Sequence, residues 1–454
     1  MSFITGWTWL IGNWTITLSV NFAFASLVAA CISMFQPEFV VTAWQLLLIV
    51  YAITLLTFFV VAFGNRLLPL ADTFAAGFTL IAIIVTLVCL SVKADAGRNS
   101  PADALGHYDT SLSGWGSFSF FIGILPAAYT FSAVGMVSAM AEECDNPTIK
   151  LPKAMALCVP VGGIAGLFYI IPICATMPSL ETIIAAPVGQ ALPYIFQIVM
   201  GSPAGGLGLT LLVLIITFFC SVSITTIGSR CTWAFARDNA IPGSRLFRRL
   251  HGETPVAALA LSTIVQMLLG LINLGSSSAF LAFVSVGLMA LAISYAIPIS
   301  ISMWHCRREV NRARWTMGPT VGWPVNAITV IWIAFEMVLF SMPTVLPVTE
   351  VSMNYAIVVF VGFMVLSGLW YLVYAHKGEC VDDVSDVLGV ANSSQCTRVL
   401  LSRMGFLWTR TCKLSRMDQR REVMVDWKQA FASTIHVAIC AVYRKRMMNQ
   451  NTDV

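Results

Sequence analysis

Residues 126–153 read PAAYTFSAVGMVSAMAEECDNPTIKLPK, and the reading of this stretch decides the fold. Up to Ala141 it is apolar, small and uncharged. Two adjacent carboxylates follow, Glu142 and Glu143, and then the helix-ending signals Asn146-Pro147, Lys150, Pro152 and Lys153. A helix in lipid must pair its own backbone groups, because hydrocarbon offers no partners. This one carries Pro126 and Gly135 among small residues (Ala127, Ala128, Ser132, Ala133, Ser138, Ala139), which weaken a continuous ladder. Broken helices of this kind form substrate sites near the bilayer midplane of transporters. The same small face also suits tight packing against a neighbouring helix. Spacing alone leaves both readings open.

Working outward, 58% of the 454 residues are hydrophobic and 11% are charged. Soluble domains carry about 25% charged residues. The chain is therefore read as an all-α, polytopic membrane helix bundle. Lys and Arg balance Asp and Glu at 14 each over residues 1–376, while residues 377–454 hold 12 and 8. The membrane body is neutral and the tail supplies the net charge of +4. Twelve cysteines are scattered without CxxC or metal-ligand spacing, so neither a disulfide framework nor a metal site is expected. The first apolar run is too long and lacks the basic leader of a cleavable signal peptide.

A spanning helix needs roughly 20 apolar residues. Ten segments qualify: 7–35, 40–63, 70–92, 117–141, 154–177, 206–234, 256–274, 279–303, 323–342 and 354–376. Prolines 178, 187, 193 and 203 interrupt the stretch 178–205, where a short interfacial helix is expected. The loops 64–69, 142–153, 235–255 and 304–322 hold eleven Lys/Arg against two in the alternate set. That asymmetry places the first set, and with ten crossings both termini, in the cytoplasm. Residues 377–454 contain no long apolar run and read as a partly disordered cytoplasmic tail. Its short apolar pieces suit interfacial helices, and Arg444, Lys445 and Arg446 suit anionic lipid.

Several polar residues fall inside the spans. Asn13 and Asn21 face the bundle either as interhelical glue or as ligand contacts. Ser221, Ser223, Thr225, Thr226 and Ser229 either bond back to their own helix or coordinate a cation or substrate. Glu336 is the only carboxylate well inside a span, as a cross-bundle bond or a functional group. GxxxxGK[ST], GxSxG and HExxH are absent, and the five histidines lie in loops, at a helix end or in the tail. The spans lack the acids, bases and metal ligands an enzyme needs. Transport or passive scaffolding is favoured over catalysis, and no nucleic-acid partner is expected.

Three blocks carry a family resemblance. AYTFSAVGMVSAMAEECDNPTIKLPKA (128–154) resembles the sixth helix and following loop of fungal amino acid/choline/GABA permeases, within the amino acid–polyamine–organocation superfamily. SRCTWAFARDNAIPGSRLF (229–247) is similar to the loop after the eighth helix. Residues 318–363 are similar to the eleventh and twelfth helices, and GWTWLIGNWTITLSVNFAFASLVAA (6–30) to the third.

The resemblance implies an inverted-repeat transporter fold, incomplete here because the first two helices have no counterpart, with a permease domain over 1–376 and the tail over 377–454. It implies a secondary active permease for amino acids or related amines such as GABA or choline, working by alternating access in a fungal plasma membrane or a vacuolar or other internal membrane. A chain without the first two helices is alternatively a transport-inactive scaffold, sensor or gene-model fragment. By resemblance the substrate meets Tyr129, Phe131, Ser132, Ala133, Val134 and Gly135, with Asn13 nearby. Many relatives read Thr-Gly-Tyr where this chain reads Ser132-Ala133-Val134. Ser221, Thr225, Glu142 and Glu143 are the candidates for ion coupling or gating, by H⁺ or Na⁺, with no cofactor. The lysine that some superfamily members carry in the fifth helix has no counterpart in residues 70–92.

Overall fold

A computed structural model describes residues 2–373 except 37, 95–96, 107–112, 145, 185, 187–189, 252–253, 276, 309, 314, 344 and 350–352. The predicted tail, 377–454, lies outside the described residues. The fold is helical: α1 (Ser2–Ser33), α2 (Ala43–Gly64), α3 (Leu68–Lys93), α4 (Leu125–Ser132), α5 (Pro147–Thr176), α6 (Ala191–Val199), α7 (Pro203–Arg237), α8 (Val256–Gly270), α9 (Ser277–Trp304), α10 (Gly318–Leu339) and α11 (Ala356–Val373). A 3₁₀-helix, Ala133–Glu143, continues α4. Shorter turns of helix join the rest.

Among the described residues nine stretches are long and apolar enough to cross a membrane. One of them, Ala43–Lys93, is 51 residues long. At about 1.5 Å per residue a straight rod of that length exceeds twice the hydrocarbon thickness. A 3₁₀ turn, Asn65–Leu67, separates its halves, and Pro69 opens α3. The ends of the chain settle the parity. The rings of Phe3 and Tyr371 lie 5.0 Å apart, so the start of α1 and the end of α11 share one face of the bundle. An even number of crossings is required, and counting α2 and α3 separately gives the ten read from the sequence. At the other face Leu346 N–H donates to Ser113 C=O (2.9 Å), and Trp115 Nε1–H to Pro343 C=O (3.1 Å).

The centre is α1, buried on all sides over Leu10–Ser19 but for the half-buried Trp14. It runs antiparallel to both α7 and α9. Against α9, two glycines allow close approach: a Cβ on Gly12 would lie 2.7 Å from Leu291, and one on Gly287 2.7 Å from Thr15. Against α7 the contact is polar. Trp14 Nε1–H donates to Thr232 Oγ1 (3.0 Å), and Ser221 Oγ–H to Asn21 Oδ1. Asn21 Nδ2 donates onward to Gln266 Oε1 of α8 (3.0 Å) and towards Thr54 Oγ1 of α2 (3.4 Å). One asparagine thus joins four helices, the interhelical role that its position inside an apolar run allowed.

One sequence-based expectation needs correction. The span expected at 154–177 starts at Pro147, so Lys150, Pro152 and Lys153 lie on the first turns of α5 rather than in a loop. Asn146 takes a left-handed conformation (φ 55°) and Pro147 enters the helix where a missing N–H costs nothing. Pro152 then forfeits a single bond near the helix start. The short helix expected within 178–205 is α6, whose Ile195, Phe196 and Val199 bury against Leu90, near the end of α3, and Leu209. The outer faces of α3, α5 and α11 expose Leu80, Ile84, Phe168, Ile170, Val361 and Leu366, an apolar belt whose solvent is lipid.

Replacing Asn21 with Ala leaves Ser221 and Gln266 without their shared partner, at about 1–3 kcal/mol. The melting midpoint of the protein in detergent is expected to fall, and to fall less for Ser221→Ala. The double variant is expected to lose less than the sum of the two.

Candidate functional site

The span over 116–143 is assembled from pieces. A 3₁₀ turn (Gly116–Phe118) and one turn of α-helix (Ser119–Ile122) precede α4, which Pro126 opens at its first turn. After Ser132 the backbone tightens into 3₁₀ geometry for 11 residues. Runs of 3₁₀ longer than about four residues are uncommon, and inside a helix they mark a hinge or strain. The break expected from Gly135 and its small neighbours is therefore present as an over-wound segment rather than an open gap. Ala133, the first residue of that segment, does not prevent it.

A tyrosine from α9 stands at the transition. Tyr295 Oη–H donates to the Ser132 carbonyl (2.9 Å), across 163 residues of sequence. Its ring lies flat enough on Gly135 that a Cβ there would sit 2.4 Å away. Glycine at this position is a requirement of close approach, not of dihedral freedom. The Trp9 ring of α1 completes the contact, 5.7 Å from that of Tyr295. One turn earlier, Tyr129 Oη and Ser19 Oγ are 2.6 Å apart and tie α4 to α1.

A cavity of about 360 Å³ opens between α4, α9 and α10. Phe131 and Ser132 line it, as do Tyr295, Trp332, Glu336 and Phe340. Its size suits a small organic molecule. Of the residues singled out from the sequence, Phe131 and Ser132 therefore sit on the cavity. Ser132 Oγ–H bonds back to Tyr129 C=O (2.9 Å), leaving the side chain folded along its own helix. Tyr129 and Gly135 flank the cavity in the contacts just described. Ala133 is exposed and Val134 half-buried, and neither lines the cavity.

The others lie in the α1–α7 layer. Asn13 is fully buried; its Nδ2 donates to Trp9 C=O (2.8 Å), and its Oδ1 has no hydrogen-bond partner among the described residues. Thr225 Oγ1 is likewise buried without a partner. Ser221 belongs to the Asn21 network. Glu142 and Glu143 end the 3₁₀ segment, and their side chains lie outside the described residues.

Sequence reasoning missed Tyr295 and Trp332. The Trp332–Glu336 spacing of four residues on one helix was a legible signal for a shared face. Nothing local marked Tyr295, because its partner is on a distant helix.

A multi-pass helical bundle with a broken span beside a cavity defines a membrane permease. The chain belongs to the amino acid permease family, whose model matches residues 1–363. It is similar to an uncharacterized amino-acid permease of Schizosaccharomyces pombe, 32% identical over 390 residues that cover 83% of this chain and 70% of the relative. It is similar to a polyamine transporter of Saccharomyces cerevisiae (29% identical, covering 82% of this chain and 62% of the relative). A choline transporter of the same yeast is 27% identical, covering 80% of this chain and 64% of the relative. The chain thus spans just under two thirds of the length of these last two. Family and relatives indicate a transporter rather than an enzyme.

Tyr295→Phe removes one hydrogen bond to the Ser132 carbonyl, a loss of about 0.5–1.5 kcal/mol. Gly135→Ala drives a methyl into the ring, at about 1–3 kcal/mol of overpacking. Both are expected to lower the melting midpoint in detergent. Adding Tyr295→Ala to Gly135→Ala removes the obstruction, so the pair is expected to cost less than the sum of its parts.

Proposed function

We propose that the chain is a secondary active permease that carries amino acids or related amines, such as GABA or choline, across its membrane by alternating access. The observation that carries the reading is the switch from α- to 3₁₀-helix at Ser132–Ala133, beside a cavity and held by a tyrosine of another helix. A backbone segment with a strained hydrogen-bond ladder has a second arrangement within reach, and alternating access needs one. Phe131 and Ser132 meet the substrate directly in this reading. Tyr129, Ala133, Val134 and Gly135 set the shape of the segment behind them, and Asn13 offers an unpaired oxygen from α1.

Coupling is to H⁺ or Na⁺. The buried hydroxyl of Thr225, with Ser221 one turn earlier, is the proposed place for the ion, and Glu142 and Glu143 the proposed gate. The permease body is residues 1–376, followed by a cytoplasmic tail over 377–454. The surplus of Lys and Arg in alternate loops orients the face shared by Phe3 and Tyr371 towards the cytoplasm. The membrane is a fungal plasma membrane or an internal one.

The full chain in liposomes, under an inward proton or Na⁺ gradient, is expected to take up labelled amino acids, choline or polyamines saturably, and an ionophore is expected to abolish the uptake. A monodisperse, folded preparation that moves none of them under either gradient would overturn the reading. For orientation, exposed Cys306 lies in one of the cytoplasmic loops. A membrane-impermeant maleimide is expected to label it in inside-out vesicles and not in intact cells, with Cys306→Ser as the control.

A further inference from the structure

Glu336 is the one charged residue of α10, from Gly318 to Leu339. It lies at the cavity, half-buried. Among the described residues the carboxylate has one hydrogen-bond partner, Trp332 Nε1–H at 2.6 Å, one turn back on the same helix. A carboxylate has room for about four donors. No Lys or Arg bonds to it among the described residues. An acid within a span is costly unless it is paired or serves a ligand, so the position calls for a cation.

The surroundings specify which kind. The cavity that Glu336 lines is walled by the rings of Phe131, Trp332, Tyr295 and Phe340 together with aliphatic side chains of the same helices. Aromatic faces attract cations, and ammonium groups with little hydration are the ligands they hold best. The other polar groups are the hydroxyls of Tyr295 and Ser132, and both already donate to backbone carbonyls. As hydroxyls whose protons are already engaged, they have lone pairs to spare and no N–H to offer. A carboxylate, aromatic faces and spare lone pairs all favour a positive ligand, and nothing in that set favours a substrate carboxylate. The rim reaches the molecular surface, where Phe131 and Trp332 are 39% and 44% exposed.

We infer that this cavity is the binding site for the ammonium group of the permease's substrate, with Glu336 as the counter-ion and Trp332 holding its carboxylate in place. The inference rests on the transport reading above and narrows it to amines that carry net positive charge.

The test uses the full chain in detergent and equilibrium binding of labelled choline and 1,4-diaminobutane. The competitor is 3,3-dimethylbutan-1-ol, the uncharged carbon analogue of choline. The wild type is expected to prefer choline over the neutral analogue by about tenfold or more, equivalent to about 1.4 kcal/mol. Glu336→Gln keeps the size and an acceptor for Trp332 but removes the charge. It is expected to erase that preference and to weaken both amines by about tenfold or more, with its melting midpoint unchanged. Glu336→Asp is expected to restore part of the preference. Wild-type protein that binds neither amine, or shows no preference for charge, would overturn the inference, as would a Glu336→Gln variant that keeps the preference. The two readings fail separately. Glu336-dependent amine binding without uptake in liposomes sinks transport and leaves the site standing. Uptake of neutral amino acids without amine binding does the reverse.

Discussion

The hydrogen bond from Tyr295 to the Ser132 carbonyl is the interaction on which the site depends. In hydrocarbon a backbone carbonyl released from its helix has no water to accept from. Leaving it bare costs about 1–3 kcal/mol even before the bilayer is considered. The Ser132 carbonyl already opens the 3₁₀ ladder that follows it, and Tyr295 brings a second donor to that point from another helix. The delivery needs the α9 backbone close by, and closeness needs the hydrogen at Gly135 in place of a methyl. A residue with no side chain, a phenol and the carbonyl at the α-to-3₁₀ junction are one device spread over two helices.

Around that device the bundle is organised by α1 rather than by the broken span. Its two faces use opposite chemistry. Towards α9 the helices touch through Gly12 and Gly287, where dispersion between closely approaching backbones replaces the hydrophobic effect that lipid does not supply. Towards α7 and α8 the contact is the Asn21 network and the Trp14 indole. Hydrogen bonds of this kind are worth about 0.6 kcal/mol each on average in a membrane protein, so their main effect is register. They fix which turn of α1 meets which turn of α7, while the Gly12 and Gly287 contacts set the height at which Trp9 reaches Tyr295.

The spans were legible in the sequence to within a few residues because a run of apolar residues is a strong signal against a sparsely charged background. The exception is instructive. Pro152 and the flanking lysines read as the end of a structured segment, yet α5 begins before them, since a proline near a helix start forfeits little. The broken span was legible from Gly135 and its small neighbours, and so was the oddity of Glu336. Its partners were not. Tyr295 is one aromatic residue in an apolar helix, and nothing within ten positions of it announces that it will bond a carbonyl 163 residues away. Local sequence reports where a backbone is weak, whereas the donor that repairs the weakness is a property of the fold. The same holds for Asn13 and Asn21: both read as polar residues in a span, but only Asn21 has its oxygen paired.

The fit of the Tyr295 ring over Gly135 has a mechanical consequence. On either side of that glycine stand Val134 and Met136, and neither can take its place beneath the ring without a collision. The segment is thus barred from creeping along its own axis one residue at a time, as a ratchet would. Tilting or swivelling about the phenol is free of that obstacle. The contact works as a detent: it opposes a slide of the segment past α9 by single residues.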